Sequence, residues 1–235
     1  MIYFSSYIGK LSYPYMICDY RKSFQIRKFC TCLFVDSGIF IKDRNIKKIV
    51  KYQKIGDVVS PPDIVEDKEQ TIKNTLEWYN YSKYTHDVKD MCIVLQGINK
   101  KDYIDCFNSL KEHIPDLCFI GIGGLLHSTK NKVMVKEILS LIPYFKKLKL
   151  KIHIFGLGLP WIRELLQYEP YSFDCSTIVR TAVDGFVLNQ NLKPVLVNNN
   201  NVSSKFRQDL AGINNYQVNH FIKNYKEKKQ QNLEV

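Results

Sequence analysis

Several polar residues stand directly after short apolar runs, and their types could do chemistry together. Asp36 closes LFVD, Asp63 follows GDVVSPP, Gln96 closes CIVLQ and Asp174 closes YSFD. Gly123-Gly124 follow CFIGI, and Gly156-Leu157-Gly158 follow KIHIF. Converging aspartates suit glycosyl chemistry: one carboxylate attacks the anomeric carbon, and a second moves protons on the leaving and entering groups. A third carboxylate and an amide can read the donor and acceptor edge of a base. Backbone N–H groups at Gly123-Gly124 can approach a flat ring closely, since no side chain blocks them. Asp and Gly commonly start loops, but six such endings in one chain point to a shared site.

The elements that must position these residues alternate between two periods. Candidate strands are Cys32–Asp36, Asp57–Ser60, Met91–Leu95, Leu117–Ile122, Ile152–Phe155 and Ser172–Thr177. Candidate helices are Glu66–Tyr84, Lys101–His113, Lys132–Leu148, Trp161–Tyr168, Ser203–Asp209 and Gln217–Lys229. Strands alternating with helices of this length give βα units and a parallel sheet. Tyr13–Cys18 and Gly185–Leu188 would raise six strands to the eight of a (β/α)8 barrel. Six alone would suit an open doubly wound sheet, but no G-x-G-x-x-G follows the first strand. In a parallel barrel all the strand ends named above share one face. The expected organisation is a barrel over 1–190, with 191–235 as a loop and C-terminal helices packed on it. Asn198–Asn201 reads as a loop. The last helix carries Val218, Phe221, Ile222 and Tyr225 on one face and Lys223, Lys226, Lys228 and Lys229 on the other.

At these residues the sequence resembles the tRNA-guanine transglycosylases and their DNA-modifying relatives. The matching segments are DSG at Asp36–Gly38, GDVVSPPD at Gly56–Asp63, VLQG at Val94–Gly97, IGGL at Ile122–Leu125, FGLGLP at Phe155–Pro160, and FDC followed by Arg180. They occur in the family's order over roughly residues 30–185. The resemblance implies a TIM-type barrel, compact or slightly trimmed, and a role for each residue. Asp174 is the implied nucleophile on C1′ and Asp36 the implied acid/base. Asp63 is implied to read the N1/N2 edge of guanine. Gln96 and the Gly124 amide, with Gly123 beside it, are implied to hold the base carbonyl. The Leu125 carbonyl is implied to lie near the 7-substituent of a deazaguanine. Phe155, followed by Gly156, is implied to pack on the base, and Arg180 to meet the nucleic-acid backbone.

The departures narrow what the resemblance implies. Only 27 residues separate Asp36 from Asp63, so the longer insertion of the tRNA enzymes is missing. Ile39 replaces a second glycine after DSG, and Ile178-Val179 replace Pro-Thr ahead of Arg180. The zinc-binding C-x-C-x-x-C…H segment after the barrel is absent. With His153 before FG, the pattern is similar to the phage-type DNA 7-deazaguanine transglycosylases. The expected activity is therefore exchange of guanine for a 7-deazaguanine such as preQ0 in DNA, through a covalent Asp–sugar intermediate and without a cofactor. The alternatives are the same exchange on tRNA, a catalytically inactive nucleic-acid-binding homologue, and an unrelated barrel hydrolase.

Composition agrees with a nucleic-acid partner. The 235 residues are 45% hydrophobic and 24% charged, which argues against a disordered chain. The 34 Lys and Arg exceed the 23 Asp and Glu, giving a net charge of +11 and a preference for a polyanion. Two lysine clusters, Lys47, Lys48, Lys51 and Lys54, and Lys146, Lys147, Lys149 and Lys151, are expected around the pocket. The best apolar run, Cys118–Leu126, is too short to span a bilayer. No membrane partner is expected, and with no signal-peptide pattern a cytoplasmic location is, the host's if the chain is phage-encoded. The seven cysteines read as reduced, with Cys92 and Cys118 in core runs. Cys30 and Cys32 form a lone C-x-C, read as one face of a strand rather than a metal site.

Overall fold

The computed structural model describes residues 1–6, 12–38, 45–84, 90–125, 132–197 and 203–231. Nine strands form one all-parallel sheet: β1 (Ile2–Ser6), β2 (Tyr15–Asp19), β3 (Cys32–Asp36), β4 (Val58–Val59), β5 (Asp90–Met91), β6 (Ile93–Leu95), β7 (Phe119–Ile122), β8 (Lys151–Ile154) and β9 (Ser172–Asp174). Their order is β5-β4-β3-β2-β1-β9-β8-β7-β6. The two end strands are chain neighbours, separated only by Cys92, whose N–H donates to the Val59 carbonyl. The sheet therefore curls into a nearly closed, barrel-like ring.

Alternation along each strand sorts side chains inside and outside this ring. Phe4, Ile17, Phe34, Val58, Cys92 and Phe119 form a small cluster inside it. The larger clusters lie between the sheet and the helices, and one of them contains Tyr3, Ile93, Leu95, Ile120, Ile122, Ile152, Ile154 and Phe173. With both faces buried, most strands read as apolar runs with little alternation.

Between strands run α1 (Ser23–Ile26), α2 (Ile46–Gln53), α3 (Lys68–Ser82), α4 (Lys100–His113), α5 (Lys132–Leu139), α6 (Ile142–Lys147), α7 (Ile162–Tyr168) and α8 (Ser176–Val183). Three starts are capped by side chains. Asn45 accepts from the Lys48 N–H, Asp67 from Gln70 and Asn99 from Asp102. Each satisfies a backbone donor the helix cannot, worth about 1 kcal/mol.

The structure corrects several expectations. The helix expected over Lys132–Leu148 is two, because Pro143 lacks the N–H that would bond four residues back and sits instead in the first turn of α6. The two C-terminal helices are one, α9 (Ser204–Gln231). Gly212 costs it about 1 kcal/mol relative to Ala, but burial of Leu210, Ala211, Asn214, Asn215, Val218 and Ile222 carries it through. Gly185–Leu188 contributes β10 (Phe186–Leu188), paired antiparallel with β11 (Pro194–Leu196) outside the main sheet. Its place in the ring is taken by β1, which the sequence conceals behind Ser5 and Ser6. Ser5 is fully buried because Asn215 of α9 donates to its hydroxyl at 2.8 Å. Cys118 is exposed rather than core, and Cys30 lies outside β3. Asn198–Asn201 falls outside the described residues.

Candidate active site

Every strand of the ring runs the same way, so their C-terminal ends meet at one rim. A cavity of about 400 Å³ opens there. Asp36, Asp63, Gln96, Gly123, Gly124, Phe155, Gly156 and Asp174 all line it. The expected convergence of these strand ends is what the structure shows.

Asp174 ends β9 and is almost fully buried. Its Oδ1 accepts from the Gly156 N–H at 3.0 Å and lies 3.2 Å from Nε2 of His153. Gly156 reaches it from a left-handed backbone with φ of 59°. Cys175, the next residue, faces the core, where burial and the Asp174 charge push its thiol up to about 12. That thiol keeps its proton at neutral pH and does not compete as a nucleophile.

Asp36 ends β3. The Ser60 hydroxyl donates to its Oδ1 at 2.7 Å and the Gly38 N–H to its Oδ2 at 3.2 Å. Burial pushes the Asp36 carboxyl above the usual carboxylate range, and the charge of Asp174 adds to that, while the bonds from Ser60 and Gly38 pull the other way. Burial prevails because it penalises the charged form directly. A carboxyl held this way suits a proton carrier.

Asp63 and Gln96 form the third group. Gln96 Nε2 donates to Asp63 Oδ2 at 2.6 Å, and Gln96 Oε1 accepts from the Glu66 N–H at 3.4 Å. These two partners fix which way the amide points. Glu66 meets it from a left-handed conformation, φ 62°, which for a non-glycine residue is strained by about 1 kcal/mol or more. The Tyr103 hydroxyl donates to the Gly123 carbonyl at 2.7 Å and pins the glycine turn behind them. Phe155 leans across Gly121, where any Cβ would come within 2.3 Å of its ring.

Two expected site residues are not among the cavity lining, and the roles expected of them concern a backbone carbonyl and a nucleic-acid contact rather than a lining side chain. The Leu125 side chain is fully buried in the outer core, and the residue is not among those lining the cavity. Arg180 is exposed on α8, also outside the lining. The lysine clusters divide. Lys47 and Lys48 occupy the first turn of α2, towards the rim. Lys146, Lys147 and Lys149 lie ahead of β8, and Lys151 is its first residue, so this cluster sits at the opposite end of the ring. Helices return from the rim to the start of the next strand, which places their C-terminal lysines away from the cavity.

The structure adds Asp19 and Lys22 to the lining. Asp19 ends β2 directly opposite Asp36 of β3 and accepts from the Arg21 N–H and Nε. It directly follows the apolar run Tyr13–Cys18, the same signal that marked the other aspartates. Among the described residues no group of three or more His, Cys, Asp or Glu could hold a metal ion, and no helix is long and apolar enough to cross a membrane.

No family model matches the chain. A stretch of 117 residues, 48% of the chain, is 32% identical to a protein described as the uncharacterized AAA domain-containing protein ycf46 of Pyropia yezoensis. The match spans 23% of that relative's length. The chain itself has no G-x-x-x-x-G-K-[S/T] phosphate loop.

Proposed function

We propose that the protein exchanges guanine for a 7-deazaguanine base in DNA, through a covalent intermediate on Asp174. We read the ring as a (β/α)8 barrel, with Asp90–Leu95 as one strand bent at Cys92. The observation that carries the function is the polarity of the Gln96–Asp63 pair. With its oxygen held by Glu66 and one N–H by Asp63, the Gln96 side chain has no further hydrogen-bond partner among the described residues, and its second N–H would serve a ligand acceptor. The neighbouring carboxylate accepts from ligand donors. Donor beside acceptor complements the O6, N1–H and N2–H2 edge of guanine or a 7-deazaguanine. The adenine edge would set donor against donor and acceptor against acceptor, leaving buried polar groups unpaired at about 1–3 kcal/mol each.

Asp174 Oδ2 attacks C1′ as the C1′–N9 bond breaks, and the bonding pair leaves with the base. Asp36 gives its proton to a ring nitrogen of that base, which departs neutral. In the second half Asp36 takes the N9 proton of the incoming 7-deazaguanine. N9 then attacks C1′ and the Asp174–sugar bond breaks, restoring both carboxyls. Phe155 packs on the base. The target nucleotide leaves its stack to enter the rim, and Lys22 at the cavity lining meets its phosphate. DNA is favoured over tRNA by the 27-residue spacing of Asp36 and Asp63.

The test is co-expression with a preQ0 supply, followed by separate digestion of genomic DNA and tRNA to nucleosides and mass spectrometry. A 7-deazaguanine nucleoside in DNA is expected. Modification of tRNA alone moves the substrate to tRNA. An unmodified pool in both, with nucleic-acid binding retained, marks an inactive binding homologue.

A further inference from the structure

We propose that His153 and Ser172 are positioning residues that hold the Asp174 carboxylate for attack, a role that rests on the base-exchange reading above. β8 and β9 are parallel neighbours, and His153 lies opposite Ser172 in their register. Ile152 and Ile154 pack in the outer core, so His153 and Phe155 face the interior. On β9 Phe173 packs outward, and Ser172 and Asp174 share the inner side. The i, i+2 spacing on both strands thus stacks Ser172 below Asp174, with the imidazole bridging them.

The bridge has defined partners. His153 Nδ1 lies 2.9 Å from Ser172 Oγ, and Nε2 lies 3.2 Å from Asp174 Oδ1. A carboxylate oxygen can only accept, so Nε2 carries the hydrogen in this contact. Both His153 and Ser172 are fully buried. Phe4, Phe34 and Phe155 surround the ring at centroid distances of 5.8, 4.8 and 4.4 Å, all steeply inclined to it. That packing blocks rotation of the imidazole, and Ser172 occupies its other nitrogen.

The consequence falls on one oxygen. Asp174 Oδ1 meets both the Gly156 N–H and His153 Nε2. Two donors on Oδ1 fix the plane of the carboxylate and assign Oδ2 to the sugar carbon. Hydrogen bonds to an ionised group inside the protein are stronger than neutral ones. A nucleophile that must approach in line gains most from that restraint.

The test compares wild type with His153→Phe, His153→Gln and Ser172→Ala in base exchange, with folding followed by thermal melts. His153→Phe keeps the packing and loses the donor. Its kcat is expected to fall about 100-fold, the loss a misplacement of about 1 Å can cause. KM for the incoming base should stay within about two-fold, because Asp63 and Gln96 are untouched. His153→Gln restores an amide N–H near the Nε2 position and should recover about ten-fold or more of the loss. Ser172→Ala should show a smaller fall in kcat. Separately, 15N NMR of histidine-labelled protein should show a protonated Nε2 at His153 whose shift changes in Asp174→Asn. Unchanged kcat in folded His153→Phe overturns the positioning role while the base-exchange reading stands. So does a folded His153→Gln no better than His153→Phe, or an unprotonated Nε2. A wild-type chain that exchanges no base in either polymer overturns the reading and this proposal with it.

Discussion

Adding one methyl group at Gly123 should disconnect base recognition from the rest of the fold. A Cβ there would stand 2.2 Å from Gln96 Nε2, 3.0 Å from Gln96 Cδ and 3.1 Å from Val94 Cγ1. The Gln96 amide must retreat by about 0.8 Å to clear 3.0 Å. Gln96 is fully buried, and its Nε2 is committed to Asp63 at 2.6 Å. The retreat strains that bond and turns the remaining N–H out of register with the base carbonyl. A neutral hydrogen bond such as that to the base carbonyl contributes about 0.5–1.5 kcal/mol, so affinity for guanine or a 7-deazaguanine should fall by about 2- to 10-fold. Overpacking should also destabilise Gly123→Ala by about 1–3 kcal/mol, lowering its melting temperature by several degrees. Calorimetric titration of the folded variant with preQ0 reads the first effect and a thermal melt the second. A folded Gly123→Ala that binds preQ0 as tightly as wild type would refute the role of the Gln96–Asp63 pair.

Other substitutions test separate links. Asp36→Asn should abolish exchange yet stabilise the protein at neutral pH. The stability that Asp36 contributes is complete below the ordinary Asp range of about 3.9 and is lost as pH rises through its raised native value. The advantage of Asp36→Asn in urea melts should thus be present at pH 7 and vanish towards pH 4, and an advantage that grows in acid would contradict the sign. Asn215 accepts from Tyr3 at 3.1 Å and donates to Ser5 at 2.8 Å, both buried. Asn215→Ala removes both bonds, although Ser5 keeps its donation to the Ser6 carbonyl, and should cost about 1–3 kcal/mol in urea unfolding. A loss within experimental error would show that α9 is docked by apolar contacts alone. Lys22→Ala should lower the slope of log affinity for DNA against log salt by about one, whereas Lys147→Ala, at the far end of the ring, should leave it unchanged.

The site was legible because strands buried on both faces read as apolar runs, so the first polar residue after each run marks the rim. That logic found Asp36, Asp63, Gln96 and Asp174, and applied to Tyr13–Cys18 it reaches Asp19. It fails where a buried polar side chain has a distant partner. Ser5 looks solvated in sequence, but its partner is Asn215 on α9. His153 sits inside a strand, and its role emerges only from the register that sets it opposite Ser172. The sequence conceals α2 because lysines crowd it, although Ile49 and Val50 are fully buried. The expected helices Ser203–Asp209 and Gln217–Lys229 are one because burial of Leu210, Ala211, Asn214 and Asn215 carries the helix through the segment between them.

In the proposed exchange Asp174 bonds covalently to the sugar. The most direct measurement is to incubate the protein with substrate DNA without an incoming base, denature, isolate any protein–DNA adduct and map the modified peptide by mass spectrometry. The expected adduct survives denaturing gels, carries the sugar on Asp174, disappears when 7-deazaguanine is added, and fails to form with Asp174→Ala. An adduct on another residue, or base exchange at a normal rate by Asp174→Ala, would contradict the role of Asp174.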